Sequence, residues 1–343
     1  MTPRADSNPR TGARATAVVV SYWNDLGDLE RCLGSIYSSG VAAILFNNAP
    51  EDRAPARVAE RYGALLVSAA RNLGFCEAVN RSLAWVKTEY VLLLNPDAFV
   101  GPSFIGCLIE SLDRDGSLGA VGGRLLRAVN GRPTDFVDSL GIEIRPGRRP
   151  ADIGHGRQAP TQIRGSTEVF GVTAAAAMYR MSALRQAAVG REVLPSQYFM
   201  YMDDVDLAWR LRRLGYRSAI VLDAVAFHGR TVAGERVNLG SPLAGLYSRV
   251  RAEVNRPAYI RRLSWSNQLL MLIRNDEPDR LLRALPQVLL KRLPSDILMI
   301  IQAPRIALSA RMRFIRLLPW AVRQRRRIRQ TRAIHANLEG WLH

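Results

Sequence analysis

The sequence predicts an α/β fold, a mostly parallel sheet flanked by helices, followed by a basic helical C-terminal extension. Three observations predict it. Short continuous apolar runs alternate with segments of helical spacing through the first half. Those runs end in polar residues rather than in tight hairpin turns. The strand pattern then fades past Gly229, and helical segments take over. Continuous apolar strands separated by helices mark a parallel sheet covered on both faces.

The elements follow in order. Ala17–Val20 is a first apolar run, ending at Ser21-Tyr22. Asp28–Tyr37 has helical spacing through Leu29, Leu33 and Ile36. Ala42–Phe46 is a second run, ending at Asn47-Asn48, and Ala54–Tyr62 is helical. Leu65–Val67 is a third run. Phe75–Val86 carries Val79, Leu83 and Val86 on one stripe. Tyr90–Leu94 is a fourth run, ending at Asn95-Pro96-Asp97. The stretch from Arg124 to Gly165 is rich in Gly, Pro and Arg, and is expected to be an irregular, mobile excursion. Patterning resumes at Val169–Val172 and Ala174–Arg180. Leu207–Leu214 is helical and stopped by Gly215, and Ser218–Leu222 is a further strand.

The 343 residues are enough for one large or two small domains. The formal charge is +18, and residues from Arg280 onward carry +12 of it. The excess is therefore a local feature. Cys32, Cys76 and Cys107 are scattered and odd in number, which points to a reducing compartment rather than a disulfide scaffold. Met1–Thr16 is polar, without the apolar core of a signal peptide, so a cytosolic protein is expected. No apolar run approaches the roughly 20 residues of a membrane-spanning helix. A G-x-G-x-x-G after the first strand and a P-loop are both absent, which argues against a dehydrogenase or P-loop enzyme.

A parallel sheet binds ligands beyond the carboxyl ends of its strands. Gathered there are Ser21-Tyr22, Asn47-Asn48, Arg71 with Gly74 and Asn80, Asn95 and Asp97, Asp203-Asp204 and His228. Asp203 and Asp204 follow an aromatic, apolar run and open a helix expected to be amphipathic. Helix capping accounts for acids there; so does a general base, because apolar surroundings and a like charge both raise a carboxyl pKa.

Three motifs carry a resemblance: N-L-G-F-x-x-x-x-N at Asn72–Asn80, N-P-D-A at Asn95–Ala98, and F-x-Y-x-D-D-x-D-L-x-x-R-L-R-x-x-G-Y at Phe199–Tyr216. Their order and spacing resemble glycosyltransferase family 2, in its rhamnosyltransferase-like branch, over roughly residues 16 to 230. The resemblance implies a GT-A fold and transfer of a sugar from a nucleotide-sugar donor with inversion. It implies three parts: a disordered N-terminal extension over 1–15, a GT-A glycosyltransferase domain over 16–235, and a helical basic region over 236–343.

Site roles follow from it residue by residue. Asp97 is either a turn residue after Pro96 or a ligand for Mg²⁺ or Mn²⁺ bridging the donor diphosphate. Family members often show two or three acids at that place; this chain has one. His228 is either structural or a ligand of the metal or the diphosphate. Asn47 departs from the family's Asp, which accepts from a pyrimidine N3–H; an amide oxygen still accepts, without charge. Arg71 suits a base or phosphate, or is a surface residue. Ser21, Tyr22, Asn48, Gly74, Asn80 and Asn95 complete the expected nucleotide-sugar site. Asp204 is the expected base, with Asp203 its alternate. Phe199, Tyr201 and Trp209 are expected to pack.

The C-terminal region is expected to hold helices punctuated by Pro286, Pro294, Pro304 and Pro319. Over Arg305–Leu318, projection puts Arg305, Ser309, Arg313 and Arg316 on one face. Ile306, Ala310, Phe314, Leu317 and Leu318 fall on the other. A basic amphipathic helix, extended by the arginine run 323–329, suits an anionic membrane surface. A helical appendage packed on the catalytic domain, or a homodimer contact, is the alternative. The expected partners are a dTDP- or UDP-sugar, a lipid-linked saccharide acceptor and the inner face of the plasma membrane. The expected role is assembly of surface polysaccharide, with dTDP-rhamnose as one donor the resemblance suggests. A non-catalytic basic protein binding membrane or nucleic acid competes, but such a module has no need of the acids and His228 in a sheet crevice. A nucleotidyltransferase would carry Lys or Arg in the loop after the first strand, which 23–27 lacks.

Overall fold

The computed structural model describes residues 13–22, 25–160, 164–229, 257–330 and 338–342. Most of the expected N-terminal extension, and the boundary near 235, lie outside the described residues. Four apolar strands come first: β1 (Ala15–Ser21), β2 (Ala42–Asn47), β3 (Leu65–Ser68) and β4 (Tyr90–Leu94). They pair in parallel in the order β3-β2-β1-β4. β1 and β4 are buried along their whole length, which is why they read as unbroken apolar runs. Between them run α1 (Leu26–Ser38), α2 (Ala54–Arg61) and α3 (Gly74–Leu83). Asp25 caps α1 by accepting from the Gly27 and Asp28 amides. The first strand begins at Ala15, and Arg14 pairs with Glu89 and Asp113, so ordered structure starts slightly before the expected boundary.

The second half of the sheet is mixed. β5 (Ala98–Val100) and α4 (Phe104–Arg114) lead into the twelve-residue β6 (Leu118–Val129). Over 124–152 the expected irregular excursion is instead ordered strand structure, while 153–160 is turns and irregular chain and 161–163 lie outside the described residues. It holds the end of β6, then β7 (Arg132–Ser139), β8 (Ile142–Arg145) and β9 (Arg149–Asp152). Asn130 and Gly131 both take positive φ at the β6–β7 turn, the tight two-residue hairpin in which this pair is favoured. Polar edge strands with one partner show no apolar run, which is why composition alone suggested a loop. β10 (Ser166–Val169) and β11 (Ala176–Arg180) follow, then α5 (Met181–Ala187), α6 (Asp203–Arg213) and β12 (Arg217–His228). β11 enters antiparallel between β4 and β6, while β12 runs parallel to β6. The strand expected at Ser218–Leu222 thus runs on, past a bulge, to His228. Two apolar cores fill the two faces of the sheet, one under α1 and α4, the other under α3 and α6.

The C-terminal region forms α7 (Ala258–Asn275), α8 (Pro278–Gln302) and α9 (Pro304–Gln330). Pro286 and Pro294 lie inside α8 and Pro319 inside α9, so of the four expected breaks only the one at Pro304, which starts α9, is seen. Helix α6 is not amphipathic: every residue from Val205 to Arg213 is buried, three arginines included. Asp206 makes this possible. Its carboxylate is fully buried and accepts from Arg210 Nε at 2.8 Å and Asn275 Nδ2 at 2.7 Å. Tyr198 Oη donates at 3.1 Å and Arg274 at 2.5 Å. Burial opposes this charge, but Arg274 and Arg210 outweigh it and hold the carboxyl below its usual range. The network joins α6 to α7, so the helical region is built onto the sheet-bearing half rather than tethered to it. Asp206→Ala would leave two buried guanidiniums without a carboxylate and should cost about 3–5 kcal/mol, read as a lowered urea midpoint.

Candidate active site

The parallel half changes direction between β1 and β4: β2 and β3 lie on one side of β1, β4 on the other. A crevice opens at the carboxyl end of such a switch point. Here it is a cleft of about 1190 Å³, larger than the usual range for one small ligand and roomy enough for donor and acceptor together. Tyr22, Asn48, Arg71, Gly74, Asn95, Asp97, Asp203, Asp204 and His228 all line it. Ser21, Asn47 and Asn80 do not.

The three exceptions have physical reasons. Asn47 spends its amide on the turn after β2, donating to Asp52 O at 2.9 Å and accepting from the Ala49 amide at 3.0 Å. Asn80 holds the 193–196 segment, donating to Leu194 O at 2.7 Å and accepting from the Val193 and Leu194 amides. Ser21 is a buried strand residue, 1% exposed. Asn48 does face the cleft, and its amide also clamps the turn before α3, through Leu73 N and Gly74 O.

At the ends of β4 and β12, His228 stands between two carboxylates. Nδ1 lies 2.9 Å from Asp138 and Nε2 3.2 Å from Asp97. Asn95 Nδ2 is 3.2 Å from Nε2. Burial pushes the ring's pKa down, but the Asp97 and Asp138 charges outweigh it and raise it to about 9. Asp138 anchors one ring nitrogen and aims the other at Asp97, the outer-sphere arrangement a metal-binding histidine uses. With its Nε2 proton displaced, the imidazole would join an Asp97 oxygen in holding Mn²⁺ or Mg²⁺, whose remaining ligands would be phosphate oxygens and water. Among the described residues no cluster holds three or more such side chains, so a cation here would have two protein ligands.

The acids at the start of α6 sit behind a strained approach. Phe199, Tyr201 and Met202 all take positive φ, each a costly conformation for a residue with a side chain. Asn267 on α7 holds the segment by donating to the Tyr198, Met200 and Tyr201 carbonyls at 2.8–3.1 Å. Gly74 presses on it from the other side; a Cβ there would meet the Phe199 ring at 2.5 Å. Phe199 and Tyr201 are walls of the cleft, and Trp209 is core. Asp203 is raised to about 8, first by burial and then by Asp204. Asp204 is raised to about 6, first by burial and then by the charge of Asp152. Backbone amides of Val205 and Ala174 favour its ionised form. The two titrate as a pair. Burial and their shared charge make the pair reluctant to carry two negative charges at once.

Several of these residues are missing from the sequence reading. Asp138 and Asp152 sit on β7 and β9, inside the stretch taken for an irregular excursion. The Asn130-Gly131 pair was the available signal for ordered strands there. Asn267 left none, because a lone Asn in a helix reads as surface.

With that geometry in place, the comparisons fall into order. Residues 17–187 match the model of glycosyl transferase family 2. Two strains of Mycobacterium tuberculosis, CDC 1551 / Oshkosh and H37Rv, each have an N-acetylglucosaminyl-diphospho-decaprenol L-rhamnosyltransferase 29% identical to this chain. Each alignment runs over 227 residues, 58% of this chain and 71% of the relative. A crystal structure of GalNAc-T7 with UDP, GalNAc and Mn²⁺ superposes with TM-score 0.56 at 9% identity. It covers 77% of this chain, which spans only 48% of that one, and supports the fold alone. The sheet, the cleft at its switch point and the family match agree: the chain belongs to glycosyltransferase family 2, through a domain that spans residues 17–187.

Proposed function

We propose that this glycosyltransferase moves a sugar, with inversion, from a nucleotide-sugar donor to a saccharide carried on a lipid. The donor we favour is dTDP-rhamnose, and the setting is surface-polysaccharide assembly at the inner face of the plasma membrane. One observation carries the mechanism. A single cleft holds both a carboxylate poised near neutral pH, Asp204, and an Asp97–His228–Asp138 relay at the strand ends. The rhamnosyltransferase name of the mycobacterial relatives, whose acceptor is a diphospholipid-linked N-acetylglucosamine, supports the choice of sugar and acceptor class.

The chemistry is a single in-line displacement. Asp204 takes the proton of an acceptor hydroxyl as that oxygen bonds to the anomeric carbon. The bond from that carbon to the diphosphate breaks, and the nucleoside diphosphate leaves on the opposite side. Asp203, its carboxyl pushed up by burial and by Asp204, would position the acceptor beside the base. Asp97 and His228 would hold a divalent cation, which supplies charge neutralisation at the departing diphosphate. The Mn²⁺ found with UDP in the GalNAc-T7 structure accords with this assignment. Tyr22, Asn48 and Arg71 stand where the nucleoside would lie.

We assign membrane attachment to a different face from the expected one. On α9, Ala310 and Leu317 are buried, Phe314 packs on the core, and Arg313 turns inward. The exposed apolar side chains are Leu308, Met312 and Ile315 on α9 and a long row on α8 that includes Leu282, Leu289, Leu290, Leu293 and Ile301. Leu290 and Ile301 are 66% and 73% exposed, far beyond scattered surface leucines. Arg280, Arg283, Lys291 and Arg305 accompany them. No described helix is long and apolar enough to cross a membrane. Apolar side chains flanked by cations match an anionic bilayer surface, each cation worth about 1 kcal/mol there.

Asp204→Asn should lower turnover by about 10²–10⁴ and leave nucleotide affinity near wild type, measured by steady-state kinetics and calorimetry. Retained turnover would move the base elsewhere. The rate should fall as pH drops through about 6, where Asp204 takes up its proton. Asp152→Asn removes a charge that raises this pKa, so it should shift the acid limb of the pH–rate profile to lower pH. The protein should sediment with anionic liposomes at low salt, and Leu289→Asp with Leu293→Asp should release it. A stable dimer in solution that buries α8, with no liposome binding, would assign the face to a second copy instead.

A further inference from the structure

Arg262 on α7 and Arg313 and Arg316 on α9 share one wall of the cleft. Arg313 is buried, Arg262 half-buried and Arg316 exposed, and their surroundings differ from those of several buried arginines. Arg148, Arg210, Arg213 and Arg274 each pair with a carboxylate. Among the described residues, no carboxylate pairs with Arg262, Arg313 or Arg316. Arg313 donates only to neutral oxygens: Ser266 Oγ, Asn267 Oδ1 at 2.8 Å and the Gln197 carbonyl. Arg262 Nε is buried without a hydrogen-bond partner. Burial, then the charges of Arg262 and Arg316, push Arg313 down to about 10. A buried guanidinium beside two further cations and no carboxylate is costly, and an anion in the cleft would relieve that cost.

We propose that this trio is a second anion site, distinct from the donor-diphosphate site at Asp97 and His228, and that it takes the diphosphate of a prenyl-linked acceptor. The assignment rests on the acceptor class proposed above. Placement supports it. Arg313 bonds Gln197, and its partner Asn267 bonds the segment leading to Asp203 and Asp204, so the trio stands on the side of the base. Planar guanidiniums suit phosphate oxygens. One helical step from Arg313 and Arg316 along α9, Met312 and Ile315 are exposed, which offers an apolar track for the chain beyond the head group.

The test is calorimetry on the full chain with farnesyl diphosphate, farnesol and inorganic pyrophosphate, each with and without saturating dTDP and Mn²⁺. Farnesyl diphosphate should bind one to one to the nucleotide-loaded protein, at least tenfold more tightly than pyrophosphate or farnesol. Arg262→Gln with Arg316→Gln should weaken it tenfold or more. Should that double variant melt early, Arg316→Gln alone, at an exposed position, carries the test. Farnesyl diphosphate displaced by dTDP would mean that the trio serves the donor, and would overturn the proposal. So would unchanged affinity in the variants. Equal affinity for pyrophosphate would overturn the lipid-linked source. Arginine-dependent binding in a protein that binds no nucleotide would sink the transferase mechanism and leave the anion site standing.

Discussion

The buried carboxylate of Asp206 is the constraint on which the site depends. It collects two arginines, an asparagine and a tyrosine from three separate stretches of chain. Without it two buried guanidiniums would lose their carboxylate, and α7 would lose its main charged contact with α6. With α7 docked, Asn267 reaches the carbonyls of 198–201, and the positive-φ turn into Asp203 is held. The third Asp of the D-D-x-D motif is thus structural, while the first two face the cleft. One short motif serves both purposes because successive helical positions point in different directions.

The acids themselves are arranged against stability. A buried pair with raised pKa values and a run of strained residues both cost folding free energy. The surroundings compensate through hydrogen bonds that are neutral and numerous: the Asn267 clamp, the Val205 amide and the Asn48 clamp on the facing turn. Electrostatics also divides labour along the cleft. Near the strand ends, negative charge is balanced by His228. On the α7 and α9 wall, positive charge is left unbalanced among the described residues.

The parallel half of the fold was legible because its strands are buried on both faces, and burial forces apolar runs that period analysis detects. The helix after Met202 was also legible, through its acids and Gly215. What escaped detection shares one property: it depends on partners distant in sequence. β7 and β9 are polar because they lie at edges, yet they supply Asp138 and Asp152 from 90 and 52 residues away from His228 and Asp204. Asn47 looked like a base-reading residue because it ends a strand, but its amide is consumed by a local turn. Arg313 looked like a membrane-facing cation until α7 supplied it with Ser266 and Asn267. Helical projection assigns faces relative to one another; it does not say which face the rest of the molecule covers.

Gly74 packs against the Phe199 ring, and the Cys76 amide donates to the Phe199 carbonyl at 3.1 Å. The turn that would cradle the donor and the segment that aims the base are therefore in direct mechanical contact, with no side chain of slack between them. Displacement of either is felt by the other. In thermodynamic terms the two half-sites share a coupling free energy, and the sharing is reciprocal: whatever factor a bound donor applies to acceptor affinity, a bound acceptor must apply to donor affinity. On the proposed assignment, a glycine in a family motif would be the joint across which the two substrates sense each other.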